Sequence, residues 1–134
     1  MARDLRLALV GFGNVGRRFA EQLRGPYARA LRDEGVAVRV TGIATARHGI
    51  AIDPSGLRLD RALRLVQASP SSRRSSQRAA ALAPSLAPLH RGPVVRDVRD
   101  FIARVPADVL VEITPLDPRT GEPAASHVRQ ALRR

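Results

Sequence analysis

The sequence contains no cysteine and no lysine, because all 23 of its basic residues are arginine. A chain without cysteine offers no disulfide framework, no thiolate metal ligand and no cysteine nucleophile. Without lysine it offers neither a Schiff-base amine nor the lysine of a phosphate-binding loop. Covalent thiol and amine chemistry is therefore excluded for these 134 residues.

Aromatic residues are also scarce, at 3% of the chain, although 44% of the residues are hydrophobic. A core of aliphatic side chains suits helices packed on a sheet, and this length suits one domain. The N-terminal apolar run covers only residues 7–10, too short for a signal-peptide core or a membrane span. We therefore expect a single α/β domain that is soluble and cytoplasmic, with no membrane partner.

The net charge of +11 is the one compositional feature that suggests a polyanion partner. Clustered cations gain affinity for nucleic acid by releasing counterions. Here the arginines are spread from Arg3 to Arg134, so a general arginine bias explains the charge without a partner. We predict no nucleic-acid binding and keep an arginine-rich nucleic-acid binder, with strongly salt-dependent affinity, as an alternative.

The first third of the chain has the pattern of a βαβ unit. Residues 5–10 form an apolar run that ends at a glycine, which is typical of a buried strand. Residues 14–35 have helical periodicity, interrupted at residues 25–26 by Gly-Pro. Residues 36–44 are rich in β-branched side chains and predict a second strand, parallel to the first.

The rest of the chain predicts three helices and one strand. Helices are expected at residues 59–66 and 98–105 and after Pro123, and a strand at residues 108–114. Residues 68–92 are dominated by Ser, Ala, Pro and Arg and predict a mobile insertion, with one helical turn at residues 78–82. The last helix should turn four apolar side chains inward: Ala124, Val128, Ala131 and Leu132.

Residues 11–16 read G-F-G-N-V-G and match the dinucleotide fingerprint GxGxxG, between the first strand and the first helix. Gly11 permits the tight turn, Gly13 lets the backbone approach the pyrophosphate, and Gly16 lets the helix pack closely on the strand. The pattern also occurs in turns without a ligand and in proteins that bind flavin or a methyl donor. In this context it predicts a Rossmann-like, doubly wound parallel sheet with a dinucleotide bound at Gly11, Phe12, Gly13, Asn14, Val15 and Gly16.

The end of the second strand, A-T-A-R-H at residues 44–48, bears on the choice of cofactor. Sites that prefer NAD usually place a carboxylate there for the ribose 2′-hydroxyl. This segment has no carboxylate but has Thr45 and Arg47, which suit a 2′-phosphate. We therefore predict NADP as the preferred cofactor and NAD as the second choice, although Arg47 is alternatively one more solvated arginine.

The sequence evidence for other functional residues is weaker. Glu112 lies inside an apolar strand and is expected to have a structural partner rather than a catalytic role. Thr114 and Pro115 follow that strand, at the end where open α/β sheets bind ligands, so we expect them to contact the cofactor. No catalytic residue and no metal site is predicted, and three histidines are expected on the surface or in loops: His48, His90 and His127.

Three stretches, at residues 7–23, 40–60 and 108–132, resemble the N-terminal NAD(P)-binding domain of homoserine dehydrogenase. The most specific strings are A-R-H-G with D-P-S-G-L, and T-P-L-D-P-R-T-G-E-P-A-A-S-H. The resemblance implies hydride transfer between aspartate semialdehyde and homoserine, a small amino-acid substrate, in threonine and methionine biosynthesis. It also implies which residues contact each part of the cofactor. The pyrophosphate would be held by Phe12, Gly13, Asn14 and Val15, the adenosine ribose by Thr45 and Arg47, and the nicotinamide side by Thr114.

In that family the chain continues with a strand that carries a lysine motif and then with a substrate and dimerisation domain. We therefore expect a catalytically incomplete part, homo-oligomeric only with that domain, whose sheet is incomplete at its C-terminal half. The strand at residues 108–114 should then be an exposed edge, which predicts poor solubility or partial disorder. Two alternatives remain: the cofactor domain of another amino-acid or semialdehyde dehydrogenase, and a non-catalytic Rossmann module that senses dinucleotide.

Overall fold

The structure is a computed structural model that describes residues 2–67 and 84–134. Its sheet has four strands, in the order β3-β2-β1-β4: β1 (Arg3–Val10), β2 (Val36–Ala44), β3 (Ile50–Ile52) and β4 (Val109–Glu112). The central strand β1 is parallel to both β2 and β4. The predicted Rossmann-like α/β fold is confirmed, as a partial and mostly parallel sheet.

Strand β3 is the departure from the predicted parallel sheet. It pairs antiparallel with β2, with Ile52 opposite Gly42 and Ile50 opposite Ala44. No strand was predicted for residues 50–52. Three residues are too few for an alternating pattern to be recognised, so only the pairing with β2 reveals the strand.

Within residues 2–67 and 84–134, five α-helices and one short 3₁₀ helix accompany the sheet. The α-helices are α1 (Asn14–Arg24), α2 (Pro26–Asp33), α3 (Leu59–Gln67), α4 (Val98–Arg104) and α5 (Ala124–Leu132), and the 3₁₀ helix spans Ala87–Leu89. The predicted interruption at Gly25 is confirmed, because Pro26 starts a new helix at a position that needs no N–H donor. The Asp97 carboxylate caps α4 by accepting a hydrogen bond from the N–H of Asp100 at 2.7 Å.

Helices cover both faces of the sheet. Successive residues of a strand point to opposite faces, so Leu7 and Leu9 of β1 pack with α1 and α3, while Ala8 and Val10 pack with α4. Gly42 permits the close approach of α4, because a Cβ there would lie 2.7 Å from Cε2 of Phe101. The sheet is thus wound on both sides, as the βαβ pattern predicted.

The predicted insertion at residues 68–92 divides into two parts. Residues 68–83, including the predicted helical turn at 78–82, lie outside the described residues. Residues 84–92 pack against the sheet: Leu86 and Leu89 are buried, and the N–H of Leu86 donates to the carbonyl of His48 at 2.8 Å. Averaged over residues 68–92, the composition is polar, and this average gave no sign that Leu86 and Leu89 would be buried. Residues 84–92 therefore belong to the ordered domain and not to an insertion.

The orientation of α5 is only partly as predicted. Ala131 packs against the α4 side of the core, but the side chains of Val128 and Leu132 are 43% and 82% exposed. Periodicity places these residues on the helix correctly but cannot say whether another element covers them. Among the described residues, nothing buries the stripe formed by Val128 and Leu132.

Candidate functional site

The carboxyl ends of β1, β2 and β4 meet at one end of the sheet. The N–H of Gly11, just after β1, donates to the carbonyl of Ala44 at 2.8 Å. The N–H of Ile113, just after β4, donates to the carbonyl of Val10 at the same distance. From β1 the chain proceeds to β2 on one side and later to β4 on the other, and open α/β sheets bind ligands above such a reversal.

Two glycines of the loop at residues 11–16, called here the glycine loop, are required by the protein itself. Gly11 has φ +100°, and a Cβ there would lie 2.6 Å from the carbonyl oxygen of Ile113. A Cβ at Gly16 would lie 2.9 Å from Cδ1 of the same isoleucine. Both glycines therefore let the glycine loop pack against the segment that follows β4.

Gly13 is different, because nothing inside the described protein requires a glycine there. Its φ is −83°, which any residue adopts, and a Cβ at this position would meet no atom within 4 Å. Gly13 precedes α1, whose N-terminus has no side-chain cap and no acidic residue in its first turn. Uncapped N–H groups and the positive end of the helix dipole attract anions, so the open space beside Gly13 fits a phosphate.

Arg17 adds positive charge at this N-terminus. Its Nη2 donates to Oδ1 of Asn14 at 2.6 Å and its Nε to the carbonyl of Gly13 at 3.3 Å. A cation is disfavoured at the positive end of a helix, and an anion bound there would compensate for it. Arg17 was not among the predicted site residues, because the fingerprint is defined by its glycines, although the sequence does place an arginine in the first turn of that helix.

Thr45 and Arg47 lie in the turn between β2 and β3, but they differ in what they can offer a ligand. The Thr45 hydroxyl donates to the carbonyl of Gly49 at 3.0 Å and accepts from the N–H of His48 at 2.7 Å. Its proton is therefore used to hold the turn. Arg47 is exposed, and within residues 2–67 and 84–134 no ion pair engages it.

A buried acid closes the other side of the site. Oε1 of Glu112 accepts a hydrogen bond from the N–H of Thr114 at 2.7 Å and another from the Thr114 hydroxyl. Oε2 lies 2.5 Å from Nδ1 of His127 on α5. The Glu112 and His127 side chains are only 10% and 16% exposed. The expectation of a structural partner for Glu112 is met.

For His127 the expectation of a surface or loop position is wrong, because the ring sits on a helix and is mostly buried. The other two histidines do lie in loops. Nδ1 of His90 accepts from the N–H of Ile52 at 3.1 Å, and Nδ1 of His48 lies 3.0 Å from the carbonyl oxygen of Pro84. Spacing in sequence gave no signal for a Glu112 and His127 contact, since strand and helix meet only in the fold.

The ten predicted site residues divide by exposure. Five are exposed at this end of the sheet: Gly13, Asn14, Val15, Arg47 and Pro115. Thr45 and Thr114 are half-buried, and the remaining three are buried: Gly11, Phe12 and Gly16. In the part of the chain that the structure describes, no three His, Asp or Glu side chains are placed to share a metal ion. Nor does any helix in residues 2–67 or 84–134 have the length and hydropathy needed to cross a membrane.

By sequence, the chain is similar to homoserine dehydrogenase. It is 27% identical over 129 residues to that enzyme of Methanocaldococcus jannaschii, an alignment that covers 95% of this chain and 33% of the relative. No family model matches the chain. The resemblance read from the motifs is thereby confirmed, and the chain spans about a third of the length of this relative.

Two solved structures share the fold. A hyperthermophilic archaeal homoserine dehydrogenase in complex with NADPH matches 97% of this chain and 33% of its own, with a TM-score of 0.66 and 21% identity. A protein of Archaeoglobus fulgidus described as a homoserine dehydrogenase matches 96% of this chain and 31% of its own, with a TM-score of 0.57 and 20% identity. At these identities the structural likeness concerns the fold alone.

Proposed function

We propose that this chain is the NADP(H)-binding part of a homoserine dehydrogenase. The observation that carries the proposal is Gly13, a glycine that the protein itself does not require, set before an uncapped helix N-terminus at the carboxyl end of the sheet. The sequence similarity to homoserine dehydrogenase and the fold shared with an NADPH complex support it.

Each residue of the site has a proposed role in that function. The backbone of Gly13, Asn14 and Val15 would hold the pyrophosphate, with Arg17 as an added cation. Arg47 would bind the 2′-phosphate, and Thr45 would shape the turn that carries it. Thr114 and Pro115 would line the nicotinamide end, and the glycine loop would be shaped by Gly11, Phe12 and Gly16.

The activity of the whole enzyme belongs to the same proposal. When bound, the nicotinamide would carry the hydride that interconverts aspartate semialdehyde and homoserine. We assign no catalytic residue among these 134 residues. Binding of a small amino-acid substrate, homo-oligomer formation through a further domain, a role in threonine and methionine biosynthesis and a cytoplasmic location rest on the family resemblance.

Titration with NADPH and NADH, followed by fluorescence, tests the proposal with two matched variants. Gly13→Ala and Gly25→Ala each add one methyl group at a negative φ, and neither Cβ approaches another atom closer than 3.6 Å. Only the methyl at Gly13 would stand between the backbone and the pyrophosphate. We expect wild type and Gly25→Ala to bind NADPH alike and Gly13→Ala to bind it about tenfold more weakly, or worse.

Melting curves of all three proteins establish that they are folded. The proposal would be abandoned if folded wild-type protein bound neither dinucleotide. Equal affinities of the two glycine variants would remove the special role given to Gly13 and leave only the family similarity.

A further inference from the structure

The carboxylate of Glu112, on a side chain that is only 10% exposed, accepts two hydrogen bonds from the same residue, Thr114. The N–H and the hydroxyl of Thr114 donate to Oε1, and Nδ1 of His127 lies within hydrogen-bond distance of Oε2. A buried carboxylate is stable only with such partners. Because the hydroxyl hydrogen is used on Glu112, the Thr114 oxygen is left with acceptor capacity only.

This arrangement is connected directly to the glycine loop. Glu112 lies opposite Val10 in the register of β4 and β1, and the next residue, Ile113, donates to the carbonyl of Val10. Ile113 is also the residue against which Gly11 and Gly16 pack. Glu112 therefore begins a short segment that packs against Gly11 and Gly16 through Ile113 and ends in Thr114.

We infer that Glu112 is a positioning residue for the nicotinamide end of the site: it orients Thr114 as a hydrogen-bond acceptor, and His127 holds the carboxylate. An acceptor-only hydroxyl selects a donor, and the nicotinamide end offers the carboxamide N–H₂ and the ribose hydroxyls. Among the described residues, the Glu112 side chain bonds to Thr114 and His127 and not to the glycine loop or Arg47, so we expect binding of the adenosine end to be independent of it. The inference rests on the proposed function and adds a residue to it.

The test compares two ligands on the wild-type protein and two variants of Glu112. NADPH carries both ends, whereas adenosine 2′,5′-bisphosphate lacks the nicotinamide. Glu112→Leu removes the acceptor, and Glu112→Gln keeps one carboxamide oxygen for Thr114. We expect Glu112→Leu to bind NADPH about tenfold more weakly and the bisphosphate as wild type does, and Glu112→Gln to restore most of the NADPH affinity. A merely structural role would weaken both ligands together.

A third variant, His127→Leu, keeps the inference falsifiable if Glu112→Leu does not fold. His127→Leu leaves Thr114 and Glu112 in place but removes the ring that holds Oε2, so we expect a smaller loss, again confined to NADPH. The inference is overturned if folded Glu112→Leu keeps wild-type NADPH affinity or loses both ligands equally, or if His127→Leu, as the deciding variant, shows no selective loss. Failure of wild-type protein to bind NADPH would instead overturn the proposed function.

Discussion

Arg47 and Thr45 share one turn. The Thr45 hydroxyl already bonds within that turn, whereas the exposed Arg47 guanidinium has no ion-pair partner among the described residues. A guanidinium binds the 2′-phosphate of NADPH well, but it adds little affinity for NADH, which has a ribose hydroxyl in place of that phosphate. Preference for NADPH over NADH should therefore depend on this single side chain.

We predict that Arg47→Ala weakens NADPH binding about fivefold and leaves NADH binding unchanged, because an exposed ion pair is screened by water and salt. Arg32→Ala is the matched control: it removes the same exposed charge from α2, just before the start of β2 and so at the opposite end of the sheet. Titration of both variants with both cofactors measures the effect. Equal weakening of NADPH and NADH, or no change for NADPH, would mean that Arg47 is only a solvated arginine.

Strand β4 is attached to β1 at its amino end by one ion pair. The Asp108 carboxylate accepts from the N–H of Arg6 at 2.9 Å and from its guanidinium at 2.8 and 3.1 Å. The Arg6 side-chain hydrogen bonds are the main cause of a strongly lowered pKa for Asp108. Both side chains are about 40% exposed, so water screens the pair.

The lowered pKa fixes the direction of the pH dependence. Asp108 ionises more readily in the folded than in the unfolded chain, so its contribution to stability is present above its ordinary pKa of 3.8 and is lost as the pH falls below it. We expect the wild-type melting temperature to fall steeply below about pH 4 and that of Asp108→Asn to start lower and fall less. Asp33→Asn, a change at the end of α2, should follow the wild-type curve. Parallel curves for wild type and Asp108→Asn would contradict the assignment.

At the scale of the whole molecule, β4 is an open edge of the described sheet. Among the described residues, β4 pairs only with β1, so its outer side presents unpaired backbone groups, and its Val109 side chain is 40% exposed. The exposed Val128 and Leu132 of α5 add apolar surface. An open strand edge of this kind is a template for pairing with another chain.

We therefore predict that the 134-residue chain self-associates as its concentration rises, and that Val109→Lys reduces this association because a charge on an edge strand opposes pairing. Sedimentation velocity over a concentration series is the measurement. Lys at this exposed position should leave the melting temperature nearly unchanged, which separates an effect on association from one on folding. A monomeric, reversibly melting wild-type protein would show that the edge is harmless.

Local patterns were sufficient for most elements and for part of the site. Residues 36–44 were bounded correctly because a run of β-branched residues between two glycine-bearing turns has few other conformations. The interruption of the first helix at Gly25 and the position of the glycine loop followed equally from backbone stereochemistry, which depends on neighbours in sequence. Cofactor contacts at the predicted residues remain predictions.

Long-range contacts decided the rest. Strand β3 forms because it can hydrogen-bond to β2. Residues 84–92 are ordered because Leu86 and Leu89 pack against the sheet. Glu112 contacts His127 only because β4 and α5 are adjacent in the fold. Val128 and Leu132 fit an inward stripe by periodicity but lie exposed. Periodicity records which residues share a face of an element, whereas burial and pairing depend on what lies across from that face, and that partner is distant in sequence.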